Sequence, residues 1–299
     1  MHIALAYLGV ILIWSTTPLA IQWSSAEVGY LFGVTSRMVI GAIMAVTIVL
    51  LMGWGFYWNR RSRLAYLIAG FTVYGSMLAT YWSAQYIPSG WISLLFGLSP
   101  LLTTLFSHYL ITAQPLSLRR TAGILVAFCG LTLIFASGLH LSTVNHIGIY
   151  GILFAVSLHS LGAVLLKRLN SQNPALVTTS GSLGVAAPLF LLTWWFLDGQ
   201  LPATIPLQSG IAILYLALFG SVIGFALYYF VLQQVDATRV SLITLITPVT
   251  ALLLGHQLNH EPLTTAVIFG SILILIGLVL FEYDGYRAGR APLLNQIKG

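Results

Sequence analysis

A few polar side chains interrupt the long apolar runs of this sequence, and any chemistry is expected to involve them. Arg37 is the only charged residue well inside such a run, and His159 lies near the centre of another. A guanidinium can hold a carboxylate or attract anions, and an imidazole can donate a hydrogen bond or carry a proton near neutral pH. Structural roles are the alternative: Arg37 could extend to the near interface or bond helix carbonyls, and His159 could bond a neighbouring helix.

The composition of the chain indicates an integral membrane protein. Of its 299 residues, 58% are hydrophobic and 6% are charged, against about 25% charged residues in soluble domains, and the mean hydropathy is +0.94. The net charge of +6 does not indicate nucleic-acid binding, because the basic residues form short clusters between apolar runs. The single Cys129 cannot form an internal disulfide. The first apolar run is expected to be a retained span and not a signal peptide.

Ten segments have the length and polarity of membrane spans, which need about 20 mostly apolar residues. We therefore expect an all-α membrane protein with ten transmembrane helices, short connections and the lipid bilayer around it. The predicted spans are 3–22, 30–52, 64–86, 89–110, 119–137, 147–166, 175–197, 209–233, 238–256 and 264–282.

The basic residues define one side of this alternating path. Eleven of the 12 Lys and Arg residues follow even-numbered spans, and Arg37 is the exception. Because basic loops stay in the cytoplasm, both termini are predicted to be cytoplasmic, in a multi-pass protein of the inner (plasma) membrane. The basic residues on that side are Arg60, Arg61, Arg63, Arg119, Arg120, Lys167, Arg168, Arg239, Arg287, Arg290 and Lys298.

The two halves of the sequence resemble one another. Pro100 in "SPLLTTLFSH" pairs with Pro248 in "TPVTALLLGH" at an offset of 148, and Trp14 pairs with His159 at an offset of 145. At an offset of 147, the pairs are Gln114 with Glu261, Pro115 with Pro262, Gly123 with Gly270 and Gly130 with Gly277.

An odd number of spans in each half gives this repeat a structural consequence. Five spans place the second half upside down relative to the first, which is an inverted-topology repeat typical of secondary transporters. The predicted units are residues 1–146, with spans 1–5, and residues 147–299, with spans 6–10 and a short cytoplasmic tail. A duplicated helical bundle without a transport role is the alternative.

Several motifs resemble the ten-helix EamA branch of the drug/metabolite transporter superfamily. They are "ILIWSTTPLAI" in span 1, "SRMVIGAIMA" in span 2, "YWSAQYIPSG" at the end of span 3, and the "QPLS" and "EPLT" that follow spans 4 and 9. The chain departs from the family pattern at Gln114, where a Glu is usual. The resemblance implies a transporter, usually an exporter of amino acids, related metabolites or drugs. It also implies a central cavity between spans 1, 3, 4, 6, 8 and 9, supported by spans 5 and 10.

The candidate binding residues lie within or at the ends of these spans. Prolines inside a span free backbone carbonyls and point to a midplane site, and aromatic walls with a few hydroxyls and amides suit a flat, amphipathic ligand. A kink that serves only packing, an interfacial aromatic belt, and hydroxyls bonded to their own helix are the alternatives. The predicted set is Trp14, Tyr74, Tyr81, Trp82, Gln85, Ser99, Pro100, His159, Tyr228, Gln233, Thr247 and Pro248, with Arg37 as an anion contact.

Acidic residues occur only at span edges or in loops. The small cation exporters of the superfamily use a membrane-embedded glutamate, so this distribution disfavours a drug-cation/proton antiporter and favours a neutral or zwitterionic substrate. The sequence has no metal-ligand cluster, Walker-type loop or G-x-S-x-G motif. We therefore expect no enzyme activity, no catalytic residues, no bound metal or cofactor and no nucleic-acid partner.

The sequence thus favours a secondary transporter that moves a small-molecule substrate by alternating access, most simply an exporter of amino acids or related metabolites. A multidrug or nucleotide-derivative carrier is the alternative within transport. A non-transporting membrane scaffold and a lipid-processing enzyme are the alternatives outside it.

Overall fold

The computed structural model describes residues 3–111, 118–137, 143–237, 240, 243–261 and 263–296. This part of the chain contains helices and no strands, as expected for an all-α membrane protein. The helices are α1 Ile3–Ser25, α2 Tyr30–Leu51, α3 Arg60–Ser83, α4 Ser89–Phe96, α5 Ser99–Leu110, α6 Leu118–Ser137, α7 Thr143–Leu169, α8 Ala175–Leu197, α9 Leu207–Tyr215, a π-helical segment Leu216–Ile223, α10 Gly224–Gln234, α11 Ile243–Asn259 and α12 Thr265–Gln296.

Seven helical stretches in the described residues are long and apolar enough to cross a membrane. Two of them are composite: Ser89–Leu110 joins α4 and α5, and Leu207–Gln234 joins α9, the π-helical segment and α10. Thr265–Phe281 of α12 is a shorter apolar helix. Many outward-facing side chains, such as Leu12 and Phe71, are exposed and apolar, as expected where lipid covers the bundle.

The structure moves several predicted helix boundaries outward. α3 begins at Arg60, four residues before the predicted edge, because the Asn59 side chain accepts a hydrogen bond from the Ser62 backbone N–H at 2.9 Å and caps the helix. α12 also extends to Gln296, beyond the apolar stretch that predicted its end.

The fourth predicted span is broken near its middle. The Gly97 N–H donates to the carbonyls of Ser93 and Leu94, and α4 ends there. Pro100 lies in the first turn of α5, where a residue without an N–H loses no helical hydrogen bond. Its repeat partner Pro248 lies inside the continuous helix α11. The expected kink is therefore a break between two helices at Pro100.

Two groups of helices make up the bundle. In the larger group, α1 packs against α2, α9, α10 and α11, while α3 packs against α7 and α8. The second group is the pair α6 and α12, which pack against each other along their length. A Cβ atom on Gly123 would lie 2.5 Å from the Gly277 carbonyl oxygen, and one on Gly130 would lie 2.5 Å from the Gly270 carbonyl oxygen. These glycines let the two backbones touch.

Candidate functional site

Three rings from three helices meet at the centre of the larger helix group. The Trp14 ring of α1 lies 5.6 Å from the His159 ring of α7 and 5.2 Å from the Tyr228 ring of α10, centroid to centroid. His159 and Tyr228 are 5.3 Å apart, and Phe96 at the end of α4 lies 6.0 Å from His159. The sequence repeat pairs Trp14 with His159, and the structure brings both into one aromatic cluster.

A cavity adjoins this cluster. Its volume of about 70 Å³ exceeds the 10–15 Å³ that one water needs by roughly fivefold, so it can hold several waters or a small organic group. Its wall includes Trp14 and His159. Helices α1, α2, α3, α4, α7, α10 and α11 and the π-helical segment all contribute to the wall.

Arg37 of α2 forms part of the cavity wall and is 1% exposed. Its Nε donates to the Ser221 hydroxyl at 2.9 Å, and its Nη1 donates to the Tyr81 hydroxyl at 3.4 Å. Its guanidinium carbon also lies 5.9 Å from the centroid of the Tyr81 ring. Two neutral side chains therefore hold the guanidinium in place beside the cavity.

The π-helical segment makes room for this guanidinium. A Cβ atom on Gly220 would lie 2.9 Å from Arg37 Nη2, so only glycine leaves that space free. The wider turn of a π-helix is frequent at functional sites, and here it also places Ser221 against Arg37. No sequence pattern predicts a π-helix over Leu216–Ile223. The only sequence signal there is the small-residue pair Gly220 and Gly224.

The prolines and hydroxyls of the broken span lie close to the cavity. Thr247 is buried and lines it. Pro248 faces the break: its Cγ would lie 3.6 Å from a Cβ on Gly97. Ser99 is buried, and its hydroxyl has no hydrogen-bond partner among the described residues. Ser99 and Pro100 do not line the cavity, although they begin the helix next to it.

Two predicted tyrosines of α3 have structural partners. The Tyr74 hydroxyl lies 2.6 Å from the Thr193 hydroxyl of α8, and its ring packs 4.9 Å from the Phe190 ring. Tyr74 therefore joins α3 to α8. Tyr81 is fully buried, and its hydroxyl lies 3.2 Å from that of Ser24 while it accepts from Arg37. Tyr81 thus reaches the cavity only through Arg37.

Three further predicted residues lie away from the cavity. Trp82 packs 5.2 Å from the Tyr86 ring. Gln85 lies just beyond the end of α3, is exposed, and donates to the Trp82 carbonyl. Gln233 is exposed near the end of α10 and donates to the Asn173 carbonyl at 2.7 Å. These residues belong to predicted spans that reach the cavity, but they lie at a different depth in the bundle from the cavity.

Several polar and aromatic residues of the cavity wall are not in the predicted set. Thr17 follows Trp14 by three residues within the quoted span 1 motif, so helical periodicity alone could have placed it beside Trp14. The other missed wall residues carry no such local signal. They are Thr80, Ser93, Phe96, Phe225 and Thr244.

Glu261 closes one end of the helix group. It is 8% exposed, and its carboxylate accepts from the backbone N–H groups of Ser89 at 2.9 Å and Gly90 at 3.1 Å, at the N-terminus of α4. Asn259 Nδ2 donates to the same carboxylate and also to Gln22 Oε1 of α1. A carboxylate at a helix N-terminus satisfies free N–H groups and meets the positive end of the helix dipole. Glu261 thus fastens the α11–α12 connection to α4.

Lys167, in the last turn of α7, makes a comparable contact with the end of α10. Its Nζ donates to the carbonyls of Leu232, Gln233 and Val235 at 3.0, 3.3 and 2.8 Å. These carbonyls end α10 and have no helical partner. A cation there complements the negative end of the helix dipole.

Comparison with known proteins agrees with this architecture. "Uncharacterized transporter YoaV" of Bacillus subtilis (strain 168) is 24% identical over 289 residues, which cover 95% of this chain and 98% of that protein. "Probable amino-acid metabolite efflux pump" of Salmonella typhimurium is 25% identical over 219 residues, which cover 70% of this chain and 72% of that protein. A solved crystal structure matches with a TM-score of 0.70 at 21% identity, covering 93% of this chain and 96% of that one, and shares its fold.

The family comparison covers most of the chain. The profile of the EamA-like transporter family matches residues 1–136 and again residues 146–283. Together with the apolar helices and the central cavity, this match shows that the chain belongs to the EamA-like transporter family.

Proposed function

We propose that this protein is a secondary carrier that moves amino acids or related small metabolites across the inner membrane, most simply outward, by alternating access. The observation that carries the proposal is the cavity beside Trp14 and His159. Helices from both halves of the sequence line it, so a movement of one half against the other would change which side it opens to.

Helix packing supports an inverted repeat of two five-helix units. The contact between α3 and α7 has its counterpart, under the repeat, in the contact between α10 and α1. The glycines behave in the same way: Gly123 meets Gly277, while their repeat partners Gly270 and Gly130 meet each other. Such exchanged contacts are expected around a two-fold axis.

We infer ten spans by adding three of the remaining helices to the seven long apolar stretches. α6, α11 and the apolar part of α12 are the three additional helices. The family profile matches the chain twice, once in each proposed unit. The one-sided distribution of Lys and Arg supports cytoplasmic termini.

The residues of the cavity wall favour an amphipathic substrate without a net positive charge. Its wall combines aromatic rings with hydroxyls and one guanidinium, and the acidic residues of the sequence lie only at span edges or in loops. The name of the Salmonella relative, an amino-acid metabolite efflux pump, agrees with this chemistry. A lipophilic cation would find no carboxylate among the described residues of this wall.

Solute counterflow in proteoliposomes tests the proposal. Vesicles are loaded with one unlabelled solute, and uptake of the same labelled solute is followed for tryptophan, threonine and a lipophilic cation. We expect exchange of an amino acid by the wild-type protein and its loss in His159→Ala. Trp195→Ala is the matched control, because Trp195 is 69% exposed on α8 and should leave exchange unchanged.

The other outcomes separate the alternatives. Exchange of the cation alone would indicate a multidrug carrier and refute the argument from missing carboxylates. An amino acid that crosses chemically unchanged excludes an enzyme. No exchange of any solute, in vesicles shown to contain folded protein, would count against the carrier itself for this substrate class.

A further inference from the structure

The guanidinium of Arg37 is buried inside the bundle. Arginine has five N–H donors, and the two contacts described above use Nε and Nη1. The described residues provide no carboxylate partner for Arg37 and no acceptor for its Nη2. Burying a cation in this way is strongly unfavourable unless water or an anion compensates it.

The surroundings of Arg37 suggest which anion would fit. Nη2 lies beside Gly220, and Arg37 and Gly220 both line the cavity. The Ser93 hydroxyl shares that wall and can donate a hydrogen bond to an anion, whereas the Thr80 hydroxyl already donates to the Ser76 carbonyl at 2.7 Å. The rings of Trp14 and Phe96 supply the apolar part of the same wall. A charged end and an apolar body are therefore accommodated side by side.

We propose that Arg37 is the carboxylate receptor of the cavity and that the site selects small apolar carboxylates, of which amino acids are one kind. The carboxylate lies against Nη1 and Nη2, and the apolar group lies against Trp14 and Phe96. The ammonium group of an amino acid is not recognised, because no acid faces the cavity from the described residues. This inference rests on the cavity of the proposed function, but it concerns ligand binding and not transport.

Ligand-induced thermal stabilisation of the purified protein in detergent tests the selectivity without any transport. The probes share one indole group: tryptophan, indole-3-propionate, which lacks the ammonium, and tryptamine, which lacks the carboxylate. A parallel series of leucine, 4-methylpentanoate and isoamylamine covers a smaller apolar group. We expect the carboxylates to raise the melting temperature and the amines to have no effect. Stabilisation by tryptamine or isoamylamine overturns the proposal, and so does a lack of stabilisation by both indole-3-propionate and 4-methylpentanoate. Equal stabilisation by chloride or inorganic phosphate also overturns it.

Variants at this position separate binding from structural support. Arg37→Lys keeps the charge but loses the planar fork, and Gly220→Ala adds a methyl group next to Nη2 while leaving Ser221 and Tyr81 intact. Both are expected to weaken indole-3-propionate binding by roughly 10- to 100-fold, the range of one hydrogen bond to a charged group. Unchanged affinity in folded Gly220→Ala and Arg37→Lys proteins would show that Arg37 is structural only.

The outcomes for binding and transport are independent. Carboxylate-selective binding without counterflow would leave this inference standing and refute the carrier proposal. Counterflow with a preference for tryptamine would support a carrier and refute the carboxylate receptor.

Discussion

Glu261 offers a direct test of how the α11–α12 connection is fastened to α4. Its carboxylate accepts three hydrogen bonds, from the N–H groups of Ser89 and Gly90 and from Asn259 Nδ2. Glu261→Gln keeps the shape of the side chain but replaces one acceptor oxygen with an NH₂ donor. That donor must oppose an N–H of α4, because both sides of the carboxylate are occupied.

The expected loss can be estimated from these contacts. A hydrogen bond to a charged group contributes about 1.5–3 kcal/mol, and a charge at a helix N-terminus adds about 0.3–1 kcal/mol. Losing one bond and the charge should lower the free energy of unfolding by about 2–4 kcal/mol. At about 2–4 °C per kcal/mol, the melting temperature should fall by about 4–16 °C.

Thermal melting of the purified protein in detergent measures this effect. Glu27→Gln is the matched control, since Glu27 is an exposed acid near the end of α1 and should melt within about 1 °C of the wild type, as surface changes usually do. If Glu261→Gln melts together with Glu27→Gln, the carboxylate does not hold α4 and the reasoning is refuted.

Three further substitutions test the packing. Gly123→Ala should destabilise the protein by about 1–3 kcal/mol through a clash with the backbone of α12. The control Gly184→Ala should not destabilise it, because a Cβ there would meet no atom within 4 Å. Equal melting temperatures of the two variants would contradict the contact between α6 and α12. Tyr74→Phe should lose about 1 kcal/mol with its hydrogen bond to Thr193 and keep full counterflow, and a loss of counterflow at normal stability would place Tyr74 in the binding site. Lys167→Met should lower the melting temperature by several degrees, because it removes three hydrogen bonds to the end of α10, and an unchanged melting curve would argue against them.

The sequence alone predicted the membrane class, the apolar stretches and the family. These properties are sums over neighbouring residues, since a span needs only enough apolar side chains in a row. The same local reasoning singled out Arg37 and His159, because a polar group inside an apolar run must face protein, water or a ligand. Both lie on the cavity wall.

Tertiary structure decided the partners of these residues. Tyr74 and Arg37 are both polar groups within spans, yet Tyr74 is satisfied by Thr193 of another helix, while Arg37 faces the cavity with neutral partners. Glu261 contacts Ser89, 172 positions earlier in the chain, and no local pattern specifies such a pair. The π-helical segment likewise meets Arg37 at Gly220, far away in the sequence. Hydropathy fixes which segments enter the membrane, but the packing of whole helices determines which polar groups find each other and which are left for a ligand.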